Sequence, residues 1–141
     1  MQTDLARILS VAGLHGLFQY VAQSRSGVIA ESLESKQRKA FSATSRISTL
    51  ADIAIYTSEG EMKLDQVFLA LKDALGDAEA PSPKAPEKEL VALFKKAIPN
   101  YDADRFYVSH MRKVIDWYDQ IVTYASLDFV KEEEQADGQD A

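Results

Sequence analysis

"RISTLADIAIYTSEGEMKLDQVFLALKDALG", residues 46–76, decides the fold class, because two hydrophobic periods meet inside it. Ile53, Ile55 and Thr57 alternate with Ala54 and Tyr56, the two-residue spacing of a strand. Past Gly60 the apolar positions become Leu64, Val67, Phe68, Leu71 and Leu75, one stripe of a helix, with Gly76 as its stop. A β part therefore gives way to an α part near residues 57–60, and the expected class is α+β.

Toward the N-terminus the signals are all β. "GLFQYVAQ" (16–23) puts Leu17, Gln19 and Val21 on one face and Phe18, Tyr20 and Ala22 on the other. "GVIAESLE" (27–34) follows the turn "SRSG" (24–27), which makes a hairpin. "RKAFSA" (38–43) and the run 46–57 add further β-branched and aromatic residues. "DLARILSV" (4–11) fits a helical turn through Leu5, Ile8 and Leu9 and equally a strand over 8–11, and Gly13 and Gly16 bracket a turn. Several short strands in this span predict a small, strongly bent SH3-like β-barrel over residues 1–57.

Toward the C-terminus, "DAEAPSPKAP" (77–86) has three prolines and no large apolar residue, so it is expected to be an exposed loop. Pro86 suits the first position of a second helix carrying Leu90, Leu93, Phe94, Ala97 and Ile98, which Pro99 ends. A third helix follows from Met111, Val114, Ile115, Tyr118, Ile121, Val122 and Ala125, with Ser109 as its N-cap. The helical unit spans 58–130. Residues 131–141, "KEEEQADGQDA", lack large apolar side chains and are expected to form a disordered acidic tail. Both modules sit near the lower size limit for independent stability, so they should pack on each other, with Trp117 and Phe106 near the contact.

Composition narrows the function classes. The chain has 141 residues, 46% of them hydrophobic and 27% charged, as in a globular protein. It has no cysteine, which excludes disulfides and thiolate metal sites. No run is long and apolar enough for a membrane helix, and Asp4, Arg7 and His15 interrupt the N-terminal stretch, which does not read as a signal peptide. A cytoplasmic protein with no membrane association is expected. The net charge of −6 divides into +2 over residues 1–57 and −8 over the rest. The whole chain is repelled by nucleic acid at long range, and only a local patch in the first part could bind it.

The stretches "SVAGLHGLF", "VIAESLE", "RISTLADIAIYT" and "PNYDADRFYVSHMRKVIDWY" resemble a domain-of-unknown-function family found mainly in Bacteroidetes. The resemblance covers about residues 4–129. It implies an SH3-like N-terminal β domain followed by a helical C-terminal domain, and it brings no activity or catalytic residues with it. Two departures stand out. Leu14–His15 occupies the place of a common Lys-Pro pair before Gly16–Leu17, and His110 stands where an acid usually follows the Ser.

Residues 99–118 gather Asp102, Asp104, Arg105, His110 and Asp116. A calcium loop would need glycine at its sixth position and an acid at its twelfth, where Tyr107 and Lys113 stand. A structural connection uses every residue: Pro99 stops a helix, Asn100 and Asp102 turn the chain, Phe106–Val108 enter the core as a short extended piece, and Ser109 restarts a helix. The basic residues Arg25, Lys36, Arg38 and Lys39 form a candidate nucleic-acid patch, with Tyr20 and Phe41 as aromatics for stacking. The competing role for those charges is to keep a sheet edge soluble. Trp117 flanks the apolar stripe of the third helix and, with Tyr124, makes a candidate partner surface. The chain has no nucleophile elbow, phosphate loop or dinucleotide fingerprint.

The expectation is a non-catalytic protein-interaction module or adaptor with another protein as partner and no cofactor or metal. The alternative is a nucleic-acid-associated small barrel acting through the basic patch. A small enzyme built on Asp102, Asp104 and His110 is the weakest reading.

Overall fold

The computed structural model describes residues 2–130. The expected tail, 131–141, lies outside them. The class is α+β, with seven strands and three helices: β1 (Ile8–Val11), β2 (Phe18–Ser24), β3 (Gly27–Ser32), β4 (Arg38–Ser42), β5 (Ile47–Thr49), β6 (Ala54–Thr57), β7 (Gly60–Lys63), α1 (Leu64–Leu75), α2 (Glu87–Ala97) and α3 (Val108–Tyr124). The ambiguous stretch 4–11 is both things in turn, a 3₁₀ turn at Leu5–Arg7 that Asp4 caps and then β1.

The first five strands form one antiparallel sheet in the order β4-β3-β2-β1-β5. The expected SH3-like barrel is corrected here, because the sheet is not closed. β5 stops at Thr49, where a 3₁₀ turn, Leu50–Asp52, drives the fully buried Leu50 into the core. The next extended residues pair with their own continuation, Ala54 with Lys63 through Thr57 with Gly60, and form a separate two-stranded sheet. The run 46–57 is thus two strands around a break, and the β structure continues to Lys63. The boundary expected after residue 57 falls in the β6–β7 turn.

Within the main sheet the β2–β3 hairpin turns through Arg25 and Ser26, with Ser24 opposite Gly27. A Cβ on Gly27 would lie 1.8 Å from the Phe41 carbonyl oxygen, so only glycine lets β4 approach there. One face of the sheet holds a small core of Leu9, Val11, Phe18, Ala30 and Phe41, with the Phe18 and Phe41 rings edge to face at 5.2 Å.

The main core joins the two parts of the chain. Leu5, Ile8, Leu17, Leu33 and Leu50 from the first part pack with Leu64, Val67, Phe68 and Leu71 of α1, Leu90 and Phe94 of α2, and Met111, Val114, Ile115, Tyr118 and Ile121 of α3. The helical stripes point inward as their spacing predicts, except that Val122 is exposed. Gln120 is buried in its place, 6% exposed, and its Oε1 accepts from the Leu17 N–H at 3.4 Å. The contact between the two parts runs through these leucines, Gln120 and a His15 Nε2–Asp116 Oδ1 pair at 3.0 Å. Phe106 packs on Phe94 and Tyr101, at 5.2 and 5.7 Å, and with Trp117 it also faces residues 53–56 at the end of the first part, near the contact as expected.

The proline-containing loop 77–86 is less exposed than its composition suggests. Ala85 is buried, and Arg112 Nη1 donates to the Pro83 and Ala85 carbonyls, both at 2.9 Å. Among the described residues no helix is long and apolar enough to cross a membrane.

Candidate partner-binding cleft

The connection between α2 and α3 builds the site. Residues 100–102 are bridged to the end of β6: Thr57 bridges Tyr101, the Asp102 N–H donates to the Tyr56 carbonyl at 2.9 Å, and the Ser58 N–H donates to the Asn100 carbonyl at 2.9 Å. Asp102 then turns the chain, its Oδ1 accepting from the Asp104 N–H at 2.9 Å. Its Oδ2 lies 3.6 Å from Arg105 Nε, and the Arg105 guanidinium sits 5.0 Å from the centre of the Tyr56 ring. The hairpin is thereby fixed against the start of α3.

His110 has a structural task. Its Nδ1 accepts from the Tyr107 N–H at 3.2 Å, satisfying one of the donors left over at the start of α3. Tyr107, and not the expected Ser109, is therefore the N-cap, and Val108 is helical rather than extended. The bond leaves Nε2 as the ring's N–H donor. The imidazole stacks on Phe106 at 6.3 Å with 19° between the planes. Asp102, Asp104 and His110 thus serve a turn and a helix start, and among the described residues no group of three His, Cys, Asp or Glu could hold a metal ion.

Between β6 and α3 this arrangement leaves a cleft of about 170 Å³. Ile53, Ile55, Phe106, Val114 and Trp117 give it apolar walls, and Arg105, His110 and Lys113 also line it. Trp117 is half-buried and packs against the main core. Lys113 makes no ion pair among the described residues.

Tyr124 lies two turns along α3 from Trp117, yet it does not share this cleft. It lines another cleft of about 300 Å³, of mixed lining, with Asp4, Arg7, Ile8, Glu31, Leu33 and Lys36. Trp117 and Tyr124 thus line different clefts along α3.

The four basic residues are not gathered either. Arg25 occupies the β2–β3 turn, while Lys36, Arg38 and Lys39 lie at the other end of β3, about 13 Å away at the rise of a strand. Arg38 Nε lies 3.4 Å from Glu31 Oε1. Phe41 is buried and offers no free stacking face, while Tyr20 is half-buried. Arg38 and Lys39 sit on β4, an edge of the sheet, where charge opposes pairing with another chain.

Comparison with known proteins follows the same two-part plan. Residues 5–50 match the family model described as Domain of unknown function (DUF5606), and residues 53–121 match Domain of unknown function (DUF6852). A chain from Bacteroides vulgatus, solved by solution NMR, is 36% identical, with a TM-score of 0.70 over 85% of this chain and 87% of its own. The chain belongs to this Bacteroidetes-type family. No curated protein matches it. Both strands of the β6–β7 hairpin, and every residue of the Trp117 cleft, fall within the DUF6852 segment. The seam between the two family segments is the 3₁₀ turn at Leu50–Asp52.

Proposed function

We propose that this family member is a non-catalytic, cytoplasmic protein-interaction module, an adaptor that holds a partner protein through the Trp117 cleft and needs no cofactor. The observation that carries this reading is the size and lining of the cleft. Its 170 Å³ has room for one large side chain. It falls short of the roughly 300–1,000 Å³ typical of small-molecule and cofactor sites. Aromatic side chains set in a small desolvated cleft are the usual anchors of protein interfaces. His110 and Asp102 are occupied in holding the backbone, which argues against their serving as an acid–base pair. The separation of Arg25 from Lys36, Arg38 and Lys39, and the buried Phe41, weigh against the nucleic-acid alternative.

The test is capture of partner proteins on three immobilised full-length chains: unaltered, Trp117→Ala and Lys113→Glu. A partner retained by the first and lost from both variants is expected. Equal retention by all three would place the interaction elsewhere.

A further inference from the structure

We infer that the Trp117 cleft recognises an acidic peptide, with one large apolar side chain seated between β6 and α3 and flanking carboxylates on Arg105, His110 and Lys113. This deepens the protein-binding reading above and rests on it.

Charge carries the argument. The chain holds 22 acidic and 16 basic residues, yet the ten residues lining the cleft include Arg105, His110 and Lys113 and not one Asp or Glu. The three groups are different kinds of donor. Arg105 is held in place by Tyr56 beneath it and by one oxygen of Asp102 at 3.6 Å, a contact through Nε that leaves its terminal nitrogens for a second carboxylate. His110 has committed Nδ1 to the Tyr107 N–H and keeps an N–H on Nε2. Lys113 is exposed and makes no ion pair among the described residues. Two of the three are therefore oriented before any ligand arrives, which lowers the entropy lost on binding. Between them the apolar walls of Ile53, Ile55, Phe106, Val114 and Trp117 take an uncharged side chain.

The sequence of the chain itself argues against an internal occupant. Residues 131–141 supply carboxylates but no residue larger in apolar bulk than alanine, so they have nothing to fill the cleft. The occupant has to bring both an acid and an anchor.

Salt is a poor probe of this contact. The net charge of −6 repels an acidic partner at a distance while the cleft attracts it at contact, and added salt screens both. Charge reversal at the rim separates the two effects.

The experiment selects peptides from a random displayed library on the full-length chain, with counter-selection on Trp117→Ala. It then measures each labelled peptide by anisotropy against unaltered, Arg105→Gln, Lys113→Glu and Trp117→Ala chains. The expected set carries Leu, Ile, Phe or Trp beside two or more acids, and Lys113→Glu weakens it about tenfold, the size of turning one contact from attractive to repulsive. Lys113 is exposed, so this variant keeps the fold, which circular dichroism verifies. Trp117 is the single tryptophan, so its emission should shift on binding and report the cleft directly. Peptides that need Trp117 but carry no acid, or that bind Lys113→Glu unchanged, would overturn this inference and leave the protein-binding reading standing. A set that binds Trp117→Ala as well as the unaltered chain would overturn both. Trp117 emission that shifts with protein concentration alone would assign the cleft to a second copy of the chain and overturn the acidic peptide.

Discussion

Thr3 and Ser126, 123 positions apart, share a hydrogen bond of 3.1 Å between their hydroxyls. The Thr3 oxygen also accepts from the Ser126 N–H at 3.0 Å. The Thr3 backbone continues the seam, donating to the Asp128 carbonyl at 2.8 Å and accepting from the Val130 N–H at 3.0 Å. Thr3 is 3% exposed, and the bridge places Phe129 6.1 Å from Phe68. Thr3→Val keeps the shape and removes the hydroxyl from both bonds with Ser126. It should cost about 1 kcal/mol, the usual net worth of a hydrogen bond. Urea unfolding should show a lower midpoint with an unchanged slope.

Leu50 tests whether the two parts share one core. It is fully buried among helical residues although it belongs to the β part. Leu50→Ala should cost about 3 kcal/mol, as a deleted core leucine does. Calorimetry should still show one transition, shifted as a whole. Two separate transitions would contradict the shared core.

Burial pushes the Tyr118 phenol above the ordinary tyrosine value. The folded chain then holds this proton more tightly than the unfolded chain. The associated stability is complete below the unfolded phenol's value, about 10, and is lost as pH rises through the higher folded value. Tyr118→Phe should flatten the fall in urea midpoint above pH 10 and change little at pH 7.

The edge strand β4 offers a test of the competing roles for its charges. Arg38→Val with Lys39→Val removes the protection and should produce concentration-dependent association in sedimentation. Arg38→Glu with Lys39→Glu should stay monomeric, and labelled oligonucleotides should bind neither this variant nor the unaltered chain at low salt. Salt-sensitive binding by the unaltered chain, lost in this variant, would revive the nucleic-acid alternative.

Arg112 holds the loop 77–86 through two carbonyls. Arg112→Ala should open it, and trypsin should then cut after Lys84 at least several times faster, since local opening controls such cleavage.

The helices were legible because a stripe such as Leu64, Val67, Phe68 and Leu71 needs only its own neighbours to declare a period. The β2–β3 hairpin was legible from the turn that ends at Gly27. Barrel closure was not, because Ile53–Thr57 carry the same alternation whether they pair with the first sheet or with their own continuation. At the start of α3, Ser109 is the better cap by composition, and the Tyr107–His110 bond that displaced it leaves no sequence signature. Gln120 had no local signal either, since the loop at Gly16 and Leu17 comes to it from across the fold. Trp117 could be read as a flank of the stripe. The opposite wall of its cleft depends on the pairing of Thr57 with Tyr101, which only the folded chain shows.

The turn at Leu50–Asp52 marks a border in sequence but not in space. A first segment grafted onto another protein would arrive with Leu5, Ile8, Leu17, Leu33 and Leu50 bare, a patch that invites aggregation. The second would arrive with a hole where they had been. The two segments are therefore poor material for shuffling. Mutations on one side of the turn must be compensated on the other, so the halves are expected to drift together as a single heritable unit.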